Sequence, residues 1–189
     1  MAQFRDQLDE LAAVLRAFAL QAARVDAVVA HVAEALLAGR TLFTCGNGGS
    51  AADALHLAEE LVGRYRADRR PLPAVCLNAD ASALTCIAND YGYEAVFARQ
   101  LTALARPGDV LVVFSTSGNS PNILHALRAA RERGVIGVAL LGKDGGAAAL
   151  LADHSIIVPS ANGARIQEVH GLILHAICEA VEVRLLAAS

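Results

Sequence analysis

Thr41-Leu-Phe-Thr-Cys-Gly46-Asn-Gly-Gly-Ser50-Ala-Ala-Asp53-Ala-Leu-His56-Leu-Ala-Glu-Glu60-Leu61 is the stretch that decides the fold. The apolar run Leu42 to Cys45, bounded by Gly46, reads as a buried strand. Gly46, Gly48 and Gly49 allow a sharp turn and close approach of backbone to a ligand. Ser50 then starts a helix, with Asp53 placed as a near-match to a capping box. Strand, glycine turn and helix N-terminus form an anion site, because free N–H groups and the helix dipole both favour negative charge. His56 and Glu60 follow at i, i+4 and project from one face of that helix. The same spacing also fits an ordinary surface pair.

Two nucleotide-binding readings fail. Gly46-x-Gly48-x-x-Ala51 fits a dinucleotide fingerprint with alanine in third place, but its acidic partner at the next strand end is missing, since that strand ends near Asn78. No Gly-Lys-Ser/Thr follows the glycines, which excludes a P-loop.

Working outward, 189 residues at 55% hydrophobic and 19% charged suit one globular domain over 1–189. The high apolar fraction makes association into an oligomer plausible. A net charge of −3 with 4% aromatics argues against a nucleic-acid partner. Cys45, Cys76, Cys86 and Cys178 form no CxxC pair and read as thiols of a reducing compartment. The first ten residues lack the basic start and apolar core of a signal peptide. No charge-free apolar run reaches ~18 residues, so no membrane span is expected, and the protein reads as cytoplasmic.

Residues 3 to about 39 carry two helical stripes, Leu8-Leu11-Leu15-Phe18 and Val25-Val28-Val29-Val32-Leu36, expected to pack on the sheet or on a neighbouring subunit. The basic loop Gly63 to Pro73 is either a solvated charge run or a device by which Arg64 or Arg69 reaches a substrate or another chain. Ala74 to Leu77 is a short strand, Asp80 to Ala88 a helix broken by Asn89-Asp90-Tyr91-Gly92-Tyr93, and Val96 to Ala105 another helix. Asp109 to Phe114 is an unbroken apolar strand of the doubly covered, parallel type. It runs into Ser115-Thr116-Ser117-Gly-Asn-Ser120-Pro121, where Ser120 and Pro121 suit the cap and first turn of a helix over Ile123 to Arg133. Four hydroxyls beside free helix N–H groups make a neutral phosphate clamp, although one would suffice for a cap. Val135 to Leu141 and Ser155 to Val158 complete the strands. The alternation predicts a three-layer α/β fold whose mainly parallel sheet presents both polar loops at its carboxyl ends. The last helix, Arg165 to Glu182, carries Gln167, His170 and His175 among apolar residues, where a histidine is either a satisfied core group or a ligand.

Taken in order, Cys-Gly-Asn-Gly-Gly-Ser, His-x-Ala-Glu-Glu-Leu, Asn-Asp-Tyr-Gly-Tyr, Ser-Thr-Ser-Gly-Asn-Ser, Gly-Lys-Asp-Gly-Gly and Arg-Ile-Gln-Glu-x-His resemble the bacterial phosphoheptose isomerases of the SIS-domain family, from about Leu36 to Glu182. The resemblance implies a five-stranded parallel sheet flanked by helices, in a homotetramer with sites at subunit interfaces. It implies conversion of sedoheptulose 7-phosphate to D-glycero-D-manno-heptose 7-phosphate through a cis-enediol, the first step of bacterial heptose nucleotide biosynthesis. Catalysis would rest on Glu60 and His175, and one Zn2+ per subunit on His56, Glu60, Gln167 and His175. Substrate would bind Asn47, Gly48, Gly49, Ser50, Glu60, Asn89, Asp90, Ser115, Thr116, Ser117, Ser120 and Gln167. Gln167 and His175 stand about 12 Å apart along an ideal helix, so this ligand set calls for an irregular helix start or a second subunit. The alternative is a non-catalytic SIS-domain binding protein, either sugar-phosphate-sensing or replication-initiator-associating. The latter shares Cys-Gly-Asn-Gly and Arg-Ile-Gln-Glu but lacks counterparts of Glu60 and His175, which favours the enzyme.

Overall fold

Strands β1 (Leu42–Gly46), β2 (Ala74–Cys76), β3 (Val110–Ser115), β4 (Ile136–Gly142) and β5 (His154–Val158) form one parallel sheet in the order β2-β1-β3-β4-β5. The structure, a computed structural model, describes residues 3–187. Leu42 of β1 faces Val110 of β3, which in turn faces Ile136 of β4, so the three central strands begin level. β2 is shorter than the apolar run suggests and stops at Cys76. Asn78 extends the pairing instead, its Oδ1 accepting from Gly46 N (3.1 Å) and its Nδ2 donating to Gly46 O (3.0 Å).

Strand residues alternate between two cores because successive side chains leave opposite faces of a sheet. Leu42, Val110, Val112, Phe114, Val138, Leu140, Ile156 and Val158 meet α1 (Phe4–Phe18), α2 (Ala22–Leu37), α3 (Gly49–Val62) and α8 (Gly163–Ala187). Phe43, Cys45, Leu111, Val113, Ala139 and Leu141 meet α4 (Ala81–Tyr91), α5 (Val96–Leu104), α6 (Pro121–Glu132) and α7 (Ala148–Leu151). Both N-terminal helices lie against the first core, with α2 packed along α8. α4 runs to Tyr91, beyond the expected break at Asn89-Asp90, and ends where Gly92 takes φ 85°.

β1 and β3 are neighbours, yet α3 leaves β1 for one face while α6 leaves β3 for the other. This divergence opens a crevice at the carboxyl ends of the two strands, the place where such sheets bind ligands.

Asp109 locks this edge-to-edge register. It is 5% exposed, and its carboxylate accepts from Thr41 N (2.9 Å) and Arg106 N (2.8 Å). Asp109→Ala leaves two N–H groups unpaired and is expected to lower stability by roughly 2–4 kcal/mol. Urea unfolding checks this as a shifted midpoint at unchanged slope.

Candidate active site

At the head of the crevice, Gly48 is the N-cap of α3 with φ 58°, and no side chain caps the helix. The expected capping box does not form: the helix begins one residue earlier, at Gly49, and Asp53 makes no hydrogen bond there. Burial pushes the Asp53 carboxyl up to about 6, against a lowering pull from His56. A Cβ on Gly46 would lie 2.3 Å from the Ser50 carbonyl oxygen, so only glycine lets the strand end meet the helix start.

Ser50 lines a polar pocket of about 70 Å³ together with Asn47, Ser115, Thr116, Ser117, Ser120 and Gln167. Ser115 Oγ accepts from Gly118 N (3.0 Å) and Ser117 Oγ accepts from Asn119 N (3.3 Å), which shapes the loop. Ser120 is the N-cap of α6, as its place before Pro121 predicts, but its hydroxyl makes no cap bond. That hydroxyl remains available to a ligand, and no lysine or arginine lines the pocket.

Farther along α3, His56 Nε2 lies 3.3 Å from Glu60 Oε1. The two are more than a surface pair, because α8 adds His175. Donor atoms of His56, Glu60 and His175 all lie within 4.8 Å of one another, a spacing at which one metal ion fits. Two nitrogens and a carboxylate oxygen suit a borderline cation such as zinc.

Sequence comparison agrees with this geometry. Residues 6–142 match the SIS domain family. The phosphoheptose isomerase of Solidesulfovibrio magneticus is 53% identical over 171 residues, covering 90% of this chain and 83% of that protein. This chain belongs to the phosphoheptose isomerases of the SIS domain family. Another member, from Geobacter sp., is 50% identical over 93% of this chain and 95% of its own length. The solved phosphoheptose isomerase GmhA from Neisseria gonorrhoeae superposes with a TM-score of 0.88 at 40% identity, covering 94% of this chain and 95% of that one. The sugar isomerase domain of an RpiR transcription factor from Sphaerobacter thermophilus, at 23% identity and a TM-score of 0.66, shares the fold.

Other residues named by the family resemblance are placed differently. α8 is continuous from Gly163, so of the two alternatives, an irregular helix start or a second subunit, the irregular start is absent. Gln167 packs against Gly49 at the serine pocket, about 12 Å along the helix from His175. Asn89 and Asp90 are exposed, hydrogen-bonded to each other at 2.7 Å, and line neither the pocket nor the histidine cluster. Arg69 donates to Glu60 O (2.6 Å) and Leu61 O (2.8 Å), closing the end of α3. Cys45, Cys76 and Cys178 are buried free thiols, and Cys86 is exposed.

Three contributors escaped the sequence reading. Asn122 exchanges two hydrogen bonds with Asn47 (2.9 and 2.8 Å), and Tyr93 Oη donates to Asn47 Oδ1 (3.1 Å), tying both polar loops together. Tyr65 stacks on His175, with centroids 5.7 Å apart. Their only sequence signal was position within a motif or beside one.

His170 is a core residue. It is wholly buried, with Nε2 3.2 Å from Leu141 O and Nδ1 unpartnered. Burial lowers its pKa to about 4, although the Leu141 carbonyl pulls the other way. The native state therefore holds it neutral. Its stabilising share is complete above about 6.5 and is lost as pH falls toward about 4, at most ~3 kcal/mol. Urea unfolding of the wild type and His170→Gln between pH 7 and 4 should show this acid-sensitive component in the wild type alone.

Proposed function

We propose that this chain converts sedoheptulose 7-phosphate to D-glycero-D-manno-heptose 7-phosphate. The observation that carries the reading is the convergence of Glu60 with His175 at one end of a helix whose other end borders a neutral hydroxyl pocket. Glu60 lies ten residues beyond Ser50, about 15 Å along α3. Phosphate and reacting carbons thus sit at opposite ends of an extended open-chain sugar.

Thr116, Ser120 and Ser50 donate hydroxyls to the phosphate, and the α3 N-terminus adds amides with no intrahelical acceptor. Glu60 takes a proton from C1 of the ketose, giving a cis-enediol, and returns it to C2. His175 moves the hydroxyl proton from O1 to O2, so that hydrogen is conserved overall. His56, Glu60 and His175 would hold a Zn2+ ion, and Gln167 would join only through a change of position or a second subunit. When bound, such an ion polarises oxygens and orients its ligands.

Assembly as a homotetramer is part of the proposal. The apolar residues Phe4, Leu8 and Leu15 of α1 and Leu172, Val183 and Leu186 of α8 are exposed, as an association surface requires. Asn89 and Asp90, exposed and outside the cluster within one chain, are the residues that a neighbouring subunit's site would use. No described helix is long and apolar enough to cross a membrane.

Proton NMR of the protein with sedoheptulose 7-phosphate in D2O tests the chemistry, with and without added zinc. Deuterium entry into an aldoheptose 7-phosphate product is expected. Glu60→Gln should slow turnover by roughly 10²–10⁴-fold. Full activity in that variant would remove Glu60 as the base.

A further inference from the structure

His175 is held in an unusual way. No hydrogen bond from any described residue reaches its ring nitrogens. A histidine that binds metal or transfers protons is ordinarily oriented by a hydrogen bond to its second nitrogen. What the described residues supply around the imidazole is ring contact. Tyr65 stacks on the imidazole with planes 26° apart, and His56 meets it edge-on at 5.0 Å and 80°.

Tyr65 belongs to the arginine-rich loop after α3, and that loop is fastened at two points. Glu182, seven residues beyond His175 on α8 and 5% exposed, accepts the N–H groups of Tyr65 (3.0 Å), Arg66 (3.0 and 3.2 Å) and Ala67 (3.0 Å). Burial pushes its carboxyl up, but these bonds and Arg69 more than offset that, so its pKa lies below the ordinary value. Arg69, whose side chain is 3% exposed, lies 3.6 Å from Glu182 and donates to the carbonyl of Glu60 itself. The helix bearing the base and the helix bearing the acid are thereby bolted to one loop. The flat face that this loop presents to the acid is Tyr65.

We propose that Tyr65 is a positioning residue: its ring sets the plane of His175, and Glu182 with Arg69 fixes Tyr65. The inference rests on His175 acting as the acid. Among the described residues the phenol hydroxyl has no hydrogen-bond partner, so the effect is assigned to the ring.

Steady-state kinetics with sedoheptulose 7-phosphate on Tyr65→Ala, Tyr65→Phe, Tyr65→Leu and His175→Asn test it, with melting temperature as the control. Tyr65→Ala should lose kcat by roughly 10–100-fold at nearly unchanged KM, as misorientation of a catalytic group does. Tyr65→Phe should restore kcat. Tyr65→Leu keeps the bulk without a flat ring, should match alanine, and carries the test if alanine unfolds. Selective labelling should show His175 ring resonances as one sharp set in the wild type and Tyr65→Phe, and broadened without the ring. An inactive His175→Asn beside a fully active Tyr65→Ala, or beside a Tyr65→Leu with unaltered kcat, overturns the positioning role alone. A fully active His175→Asn overturns the acid assignment beneath it.

Discussion

Glu60 and His175 lie on α3 and α8, more than a hundred residues apart in sequence, and the burial of those helices against each other brings them together. Ala54, Leu57, Ala58 and Leu61 of α3 share one core with Ile166, Val169, Ile173, Leu174, Ile177 and Val181 of α8. Each large side chain so buried contributes about 1.5–3 kcal/mol, which outweighs the cost of part-burying a carboxylate and two imidazoles beside them. Small residues at 54 and 58 let the helices approach. The reactive groups then emerge where the apolar contact ends.

Around this packing the charged groups are handled in two ways. The serine pocket is lined by none and offers only dipoles. At the far end of α3 a buried carboxylate and guanidinium meet, an arrangement that stabilises only when remaining hydrogen-bonding capacity is filled. Glu182 fills its share with backbone N–H groups, and Arg69 directs both terminal nitrogens at the last carbonyls of α3, where a cation also complements the helix dipole. Arg69 Nε faces Glu182 at 3.6 Å without a hydrogen bond. An acidic residue deep in α8 therefore acts as an anchor for a loop rather than as a surface charge.

Most of the scaffold was legible because its signals are local. Continuous apolar runs such as Leu111 to Phe114 admit only a doubly covered strand, and the serine loop announces its helix through Pro121. Helix ends were less legible, since Gly48 and Gly92, at φ 58° and 85°, overruled the hydroxyl cap and the Asn-Asp break that a local reading favours. The site was half legible. His56 and Glu60 share a face by spacing, whereas their meeting with His175 is tertiary. The arginine run concealed one buried member, Arg69, because spacing along a loop does not reveal which side chain turns inward.

The uncharged pocket has a consequence for traffic through the enzyme. A phosphate held by lysine or arginine gains from long-range attraction and loses that gain as salt screens it, whereas hydroxyl and amide dipoles act only at contact. A net charge of −3 gives the protein no overall attraction for anionic sugars. Under the proposed function, a phosphate seated in the pocket has no lysine or arginine of the lining to part from on release. A site of that kind would trade speed of capture for ease of release and for indifference to the ionic strength around it.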